Sequence, residues 1–220
     1  MTNLKQYYKF FFFTLTSLLV FDCSGIATES LLLTDINSNS INISDKYWLV
    51  YEIDENLNKE LIMPLIFSKA GYFNKSKIWV AKVEEGNSKN KDKIYIRLKE
   101  TSVNGRYLAQ ATTWTEDGIS LTALFTLTKP SSTEYKLYMP TKKGYDLAKN
   151  SAKLEKMKEY YSVNGSNIEF KNQAVELYSE DIIDFLNGMN LNIDLKPKYT
   201  IKAVDKEAYN DAILKLKRKK

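Results

Sequence analysis

Histidine is absent from the 220 residues and cysteine occurs once, so the side chains left for chemistry are carboxylates, lysines, arginines, tyrosines and hydroxyls. Hydrolysis by a serine or cysteine activated by histidine is excluded on that ground, and so are the usual His/Cys zinc sites. The chain carries no glycine-rich phosphate loop and no dinucleotide fingerprint. Three carboxylate pairs remain: Glu84-Glu85, Glu116-Asp117, and Asp181 with Asp184. Glycoside cleavage needs two carboxyls roughly 5 to 9 Å apart across a cleft, one of them kept protonated by an apolar wall. Glu84-Glu85 instead runs into Gly86-Asn87-Ser88-Lys89-Asn90-Lys91, Glu116-Asp117 precedes Gly118 in a turn, and Asp181 and Asp184 read as charges at a helix start. Solvated positions like these do not produce the raised carboxyl pKa that catalysis requires, so the pattern points away from an enzyme. A carboxylate-dependent hydrolase stays as the alternative.

The rings are the other candidates. Trp48, Trp79 and Trp114 fall on three predicted strands, with Tyr95 and Tyr107 among the tyrosines around them. Rings on the inner face of a barrel line an apolar or sugar-binding cavity, whereas rings on any strand also serve as sheet core. These five are the candidate ligand-contacting residues, for an apolar ligand or an unidentified protein. A tryptophan on the first strand is similar to the arrangement in lipocalin-like barrels, although Lys46 stands where that family's Gly-x-Trp has glycine. The resemblance implies architecture alone. Asp35-x-Asn37-x-Asn39 has the opening spacing of a calcium-binding loop, but Ser40 replaces the turn glycine and Lys46 occupies the place of the bidentate acid. No metal and no cofactor are expected.

The elements that must position these residues show first as a period of two. Ile119, Leu121, Ala123, Phe125 and Leu127 alternate with serine and threonine, which is the pattern of a half-buried strand. Ile94 to Leu98 and Arg106 to Ala111 flank Asn104-Gly105, a dipeptide suited to a type I′ hairpin. Segments 47–54, 60–67, 77–84 and 134–139 bring the total to about seven strands joined by short turns. Pro64 marks its strand as an edge or a bulge. After Pro140 the period moves toward 3.6. Gly144 to Tyr161 places Leu147, Leu154, Met157 and Tyr161 on one helical stripe, and 168–178 reads mainly as strand. Ser179 then caps a short helix that stops at Gly188, 191–203 is extended around Lys196-Pro197, and Asp205 caps a last helix. The expected class is α+β, mainly antiparallel β, as a meander sheet or barrel-like domain over residues 46–140. A smaller α/β segment over residues 141–220 packs on it.

The start of the chain addresses its location. Lys5 and Lys9 precede an apolar run from Phe10 to Phe21, and Asp22-Cys23-Ser24-Gly25 follows. A run of about 12 residues spans roughly 18 Å as a helix, short of the roughly 30 Å hydrocarbon core, which predicts a secretory signal over residues 1–22 and not a stable span. Cys23-Ser24-Gly25 resembles the mature start of bacterial lipoproteins. That resemblance implies lipidation of Cys23, a membrane partner through the anchor, and a cell-envelope location. Asp22 stands where that family carries a small residue, and Gly25-Ile26-Ala27 offers a second cut that would release a soluble periplasmic or secreted chain. Residues 23–45, polar and rich in Asn and Ser, read as a tether.

At 44% hydrophobic and 13% aromatic the composition is globular, and about 195 residues suffice for one core or two without a disulfide. The net charge of +5 is interspersed, apart from Lys215 to Lys220 at the end of the last helix, where lysines favour the negative helix terminus. No nucleic-acid partner is expected. The expected function is therefore that of an exported, non-enzymatic binding module, the alternatives being the hydrolase above and a purely structural envelope component.

Overall fold

The alternation from Tyr47 onward becomes a ring of strands. The computed structural model describes residues 25–34, 36, 38–39, 46–69, 78–83, 93–114, 120–164 and 167–218. Eleven strands form one sheet: β1 (Gly25–Thr28), β2 (Tyr47–Ile53), β3 (Lys59–Lys69), β4 (Trp79–Val83), β5 (Lys93–Glu100), β6 (Arg106–Trp114), β7 (Ser120–Ser131), β8 (Glu134–Pro140), β9 (Tyr161–Asn164), β10 (Asn167–Phe170) and β11 (Leu195–Val204). Their order is β6-β5-β4-β3-β2-β11-β8-β7-β1-β10-β9, and β6 also pairs with β7. Eight strands therefore close on themselves as a barrel, which removes the free edges an open meander leaves. The α+β, mainly antiparallel expectation holds at that level, and the barrel is the form it takes. The helices are α1 (Lys142–Lys149), α2 (Ala152–Glu155), α3 (Asn172–Gly188) and α4 (Lys206–Arg218).

The chain divides into two compact units that interleave in sequence, so neither follows a boundary at residue 140. One holds residues 33–109, 126–138 and 197–220. In it β2 pairs with β3 on one side and with β11 on the other, in the registers Trp48↔Leu65 and Trp48↔Ala203. Pairing preference for β11 is not written in local pattern, which is why a C-terminal strand completing the ring was not foreseen. Opposite faces of β2 face different neighbours. Leu49 packs with Tyr209 and Ala212 of α4, and Tyr47, Tyr51, Leu61 and Ile66 surround that contact. Trp48, one residue away, meets the rings of Phe67 and Tyr135 instead. Asp205 caps α4 as expected, accepting from Ala208 N at 2.8 Å. The strand that holds Pro64 carries a bulge. Val50 opposes Met63 while Tyr51 opposes Leu61, so Ile62, two residues before the proline, is the extra residue, and Pro64 itself stays in register opposite Leu49. The Asn104-Gly105 turn is not type I′, because only Gly105 takes a positive φ, at 72°. Thr101 N donates to Arg106 O and Arg106 N to Val103 O, which closes a longer loop.

The other unit holds, among the described residues, those within 25–32, 110–125 and 139–196. Here β7 pairs with β1 at Thr122–Leu124, whereas from Thr126 onward it pairs with β8. β1 pairs in parallel with β10 on its other side, and β10 with β9. Residues 23–45 are thus not a plain tether. Gly25–Thr28 is a strand, and Ile26, Leu32 and Leu33 are among the most buried residues. Their aliphatic side chains find partners that lie far away in the chain. The single helix read over Gly144 to Tyr161 is broken. α1 ends at Asn150, whose side chain and backbone both donate to the Asp146 carbonyl, α2 follows, and Tyr161 begins a strand. Leu147 is exposed, and Gly144, Tyr145 and Ala148 are buried in its place. The segment 168–178 is strand only to Phe170. α3 starts at Asn172 and consists of two helical segments joined across a kink at Tyr178, where φ is −134° and ψ 27°. The second, ending at Gly188, follows directly after Tyr178, where the sequence predicts a helix start, and the first is the addition.

Candidate functional site

Strand register gathers several of the candidate rings at one end of the barrel. β2 begins, β3 ends, β4 begins, β5 ends, β6 begins, β7 ends and β8 begins at that end. Directly opposed residues share a face, and alternate residues along a strand share it too. Trp48 opposes Leu65, Phe67 opposes Ala81, and Trp79, two residues before Ala81, is on the same side. Lys129 N donates to Gly105 O, which sets Tyr107 opposite Leu127, and Leu127 opposes Leu137, two residues from Tyr135. Trp48, Phe67, Trp79, Tyr107 and Tyr135 therefore share the inner face. Tyr135 reaches Trp48 across β11 because the residue between them is the small Ala203, whose N–H bonds Thr133 O.

Several of these rings are buried against one another. Trp48 is 2% exposed, with ring centroids 5.8 Å from Phe67 and 5.7 Å from Tyr135, and Trp79 is buried as well. Edge and tilted contacts at these separations stabilise aromatic clusters beyond their buried area. On the same face Tyr107 is only half-buried, and Lys129 sets its ammonium 5.5 Å from the Tyr135 ring centroid. Burial pushes the Tyr107 hydroxyl above its ordinary pKa, the negative charge of Glu100 pushes it further, and Lys129 opposes both. At this end of the barrel the buried rings lie beside the Tyr107 hydroxyl, the Lys129 ammonium and the Glu100 carboxylate.

The remaining candidates do not join it. Tyr95 opposes Val80, one residue out of phase with Trp79, and lies on the other face of the sheet. Trp114 ends β6 at the opposite end, and its side chain lies outside the described residues. Cys23, Glu84-Glu85 and Glu116-Asp117 are outside the described residues too. Asp181 lies in the first turn after the Tyr178 kink of α3 and pairs with Lys156 at 2.7 Å, and Asp184 is exposed. Of the calcium-like string, Asn39 spends its side-chain oxygen on Glu100 N at 2.7 Å. Among the described residues no group of three potential ligands forms a metal site, and no helix is long and apolar enough to cross a membrane. Sequence reasoning missed Phe67, Glu100 and Lys129 as members of the barrel end. For Lys129 the signal was present, since it continues the Phe125, Leu127 alternation.

These features define an antiparallel eight-strand barrel with an aromatic end. No family model, curated protein or solved structure matches the chain.

Proposed function

We propose that this is an exported envelope protein, lipid-anchored through Cys23, whose barrel binds an apolar ligand or protein segment at the end formed by Trp48, Trp79, Tyr107, Lys129 and Tyr135. The observation that carries the binding reading is the half-buried Tyr107 and Lys129 beside buried rings, a combination of apolar area with few oriented polar groups. In this reading Trp48 and Trp79 are the floor and Tyr107 with Lys129 makes the first contact. Export and anchoring rest on the leader and on the lipoprotein-like Cys23-Ser24-Gly25.

The test is tryptophan fluorescence of the purified protein titrated with an apolar probe. Emission should shift on saturation, and Trp79→Ala should reduce the shift while circular dichroism still reports the folded sheet. Lys129→Met should weaken binding of an anionic probe and leave that of an uncharged one within about twofold. A response unchanged by Trp48→Phe, Trp79→Ala and Tyr107→Ala would assign the rings to packing alone.

A further inference from the structure

Strand β1 constrains how the leader is removed, an inference that rests on the export reading above. Gly25, Ile26, Ala27 and Thr28 pair in parallel with Asn167, Ile168, Glu169 and Phe170, while Ile26, Ala27 and Thr28 pair antiparallel with Leu124, Ala123 and Thr122. A strand held on both sides supplies hydrogen-bond partners to two neighbours at once. Ile26 is 4% exposed, its partner Ile168 is fully buried, and Thr28 donates its hydroxyl to Ser30 O. The residues just beyond continue the attachment. Glu29 N donates to Phe170 O, and the Glu29 carboxylate accepts from Asn172 N at 2.9 Å. That second bond caps α3, whose own N-cap residue Lys171 turns its side chain to the Glu159 carbonyl and makes no capping bond.

The small-x-small site Gly25-Ile26-Ala27 lies inside this strand. Hydrolysis after Ala27 would delete Gly25, Ile26 and Ala27, strip the backbone partners from β7 and β10, and open the burial around Ile168. We infer that the leader is cleaved on the N-terminal side of Gly25, so that β1 remains on the mature protein. The step is peptide-bond hydrolysis, water giving its hydroxyl to the upstream carbonyl carbon and a proton to the new amine. The bond between Asp22 and Cys23 satisfies the constraint, and the bond after Ala27 does not.

The experiment expresses the full-length gene and its Ile26→Ala variant in a bacterium, then takes cell fraction, intact mass and thermal unfolding of the recovered protein. Position 26 is the free middle of the small-x-small site, so the substitution leaves a cut after Ala27 available. The expected result is an N-terminus at or before Gly25 and a melting temperature lowered by roughly 5–15 °C in the variant. Should Ile26→Ala fail to accumulate, Ile26→Val should show the same sign with a shift of about 1–5 °C. A folded chain beginning at Thr28, with wild type and variant melting alike, overturns the inference and leaves export standing. A chain retained whole in the cytosol with its leader overturns the export reading itself.

Discussion

At the scale of single residues, Tyr107 has the most informative titration. Its hydroxyl is held above the ordinary tyrosine value of about 10 by burial first and by Glu100 second, with Lys129 acting the other way. A folded-state pKa raised above the unfolded one contributes stability that is fully present below the unfolded value and is lost as pH rises through the folded value. The sensitive window therefore lies in strong alkali, and near neutral pH this group leaves stability flat. Lys129→Met removes the opposing charge, so the Tyr107 absorbance transition should move to still higher pH, whereas Glu100→Gln should move it down. A Tyr107 transition unmoved by either substitution would mean that the three groups do not share the barrel end. Tyr107 was legible as a candidate because it continues an alternating strand. Its company was not, because Glu100 and Lys129 reach it from two other strands.

At the scale of elements, α1 shows how a helix is fixed by one close approach. Thr141 caps it, accepting from Gly144 N at 3.3 Å and donating to Ile193 O at 2.7 Å, and Thr141 N bonds Asp194 O at 2.7 Å. The segment around Asp194 therefore lies against the first turn, and a Cβ at Gly144 would stand 2.3 Å from the Asp194 carbonyl oxygen and 2.9 Å from the Met189 methyl. Helix propensity alone favours Gly144→Ala by about 1 kcal/mol. Overpacking against backbone should reverse that sign and cost about 1–3 kcal/mol net, read as a lower urea midpoint at unchanged slope. A stabilised Gly144→Ala would show that this approach is looser than described. The helix was expected in this region, but its stripe was misread. Leu147 follows the 3.6 period and yet is exposed, because the face chosen for burial is the one whose glycine admits the neighbouring backbone.

At the scale of the whole molecule, the pairing of β6 with β7 closes the ring. Within the unit that holds residues 110–125, Thr112 and Thr122 place their hydroxyls 3.3 Å apart across that pair, both of them buried. Removing one hydroxyl leaves the other buried with a lost partner, whereas removing both removes the demand. Thr112→Val and Thr122→Val should each cost about 1–2 kcal/mol, and the double variant less than their sum by about 1 kcal/mol. Additive costs in that cycle, measured by chemical denaturation, would mean that the two hydroxyls do not bond across the closing strands.

The sequence by itself determined the strands from Tyr47 to Pro140, because alternation encodes which residues of a strand face the core, and that information is local. It also determined the Asp205 cap and the absence of histidine chemistry, both of which are readable within a few residues or from composition. Tertiary structure alone decided three things. β11 enters between β2 and β8, the aliphatics of residues 25–33 fold in as strand and core, and α3 begins seven residues ahead of Ser179. Each depends on a partner remote in sequence: Tyr51 for Thr200, Ile168 for Ile26, and Glu29 for the start of α3. Local pattern fixes which face of a segment is apolar, but the free energy of burying that face is realised only against whichever distant surface completes it. The barrel end follows the same rule: Trp48, Trp79 and Tyr107 were each visible as rings on strands, and only strand register put them on one face.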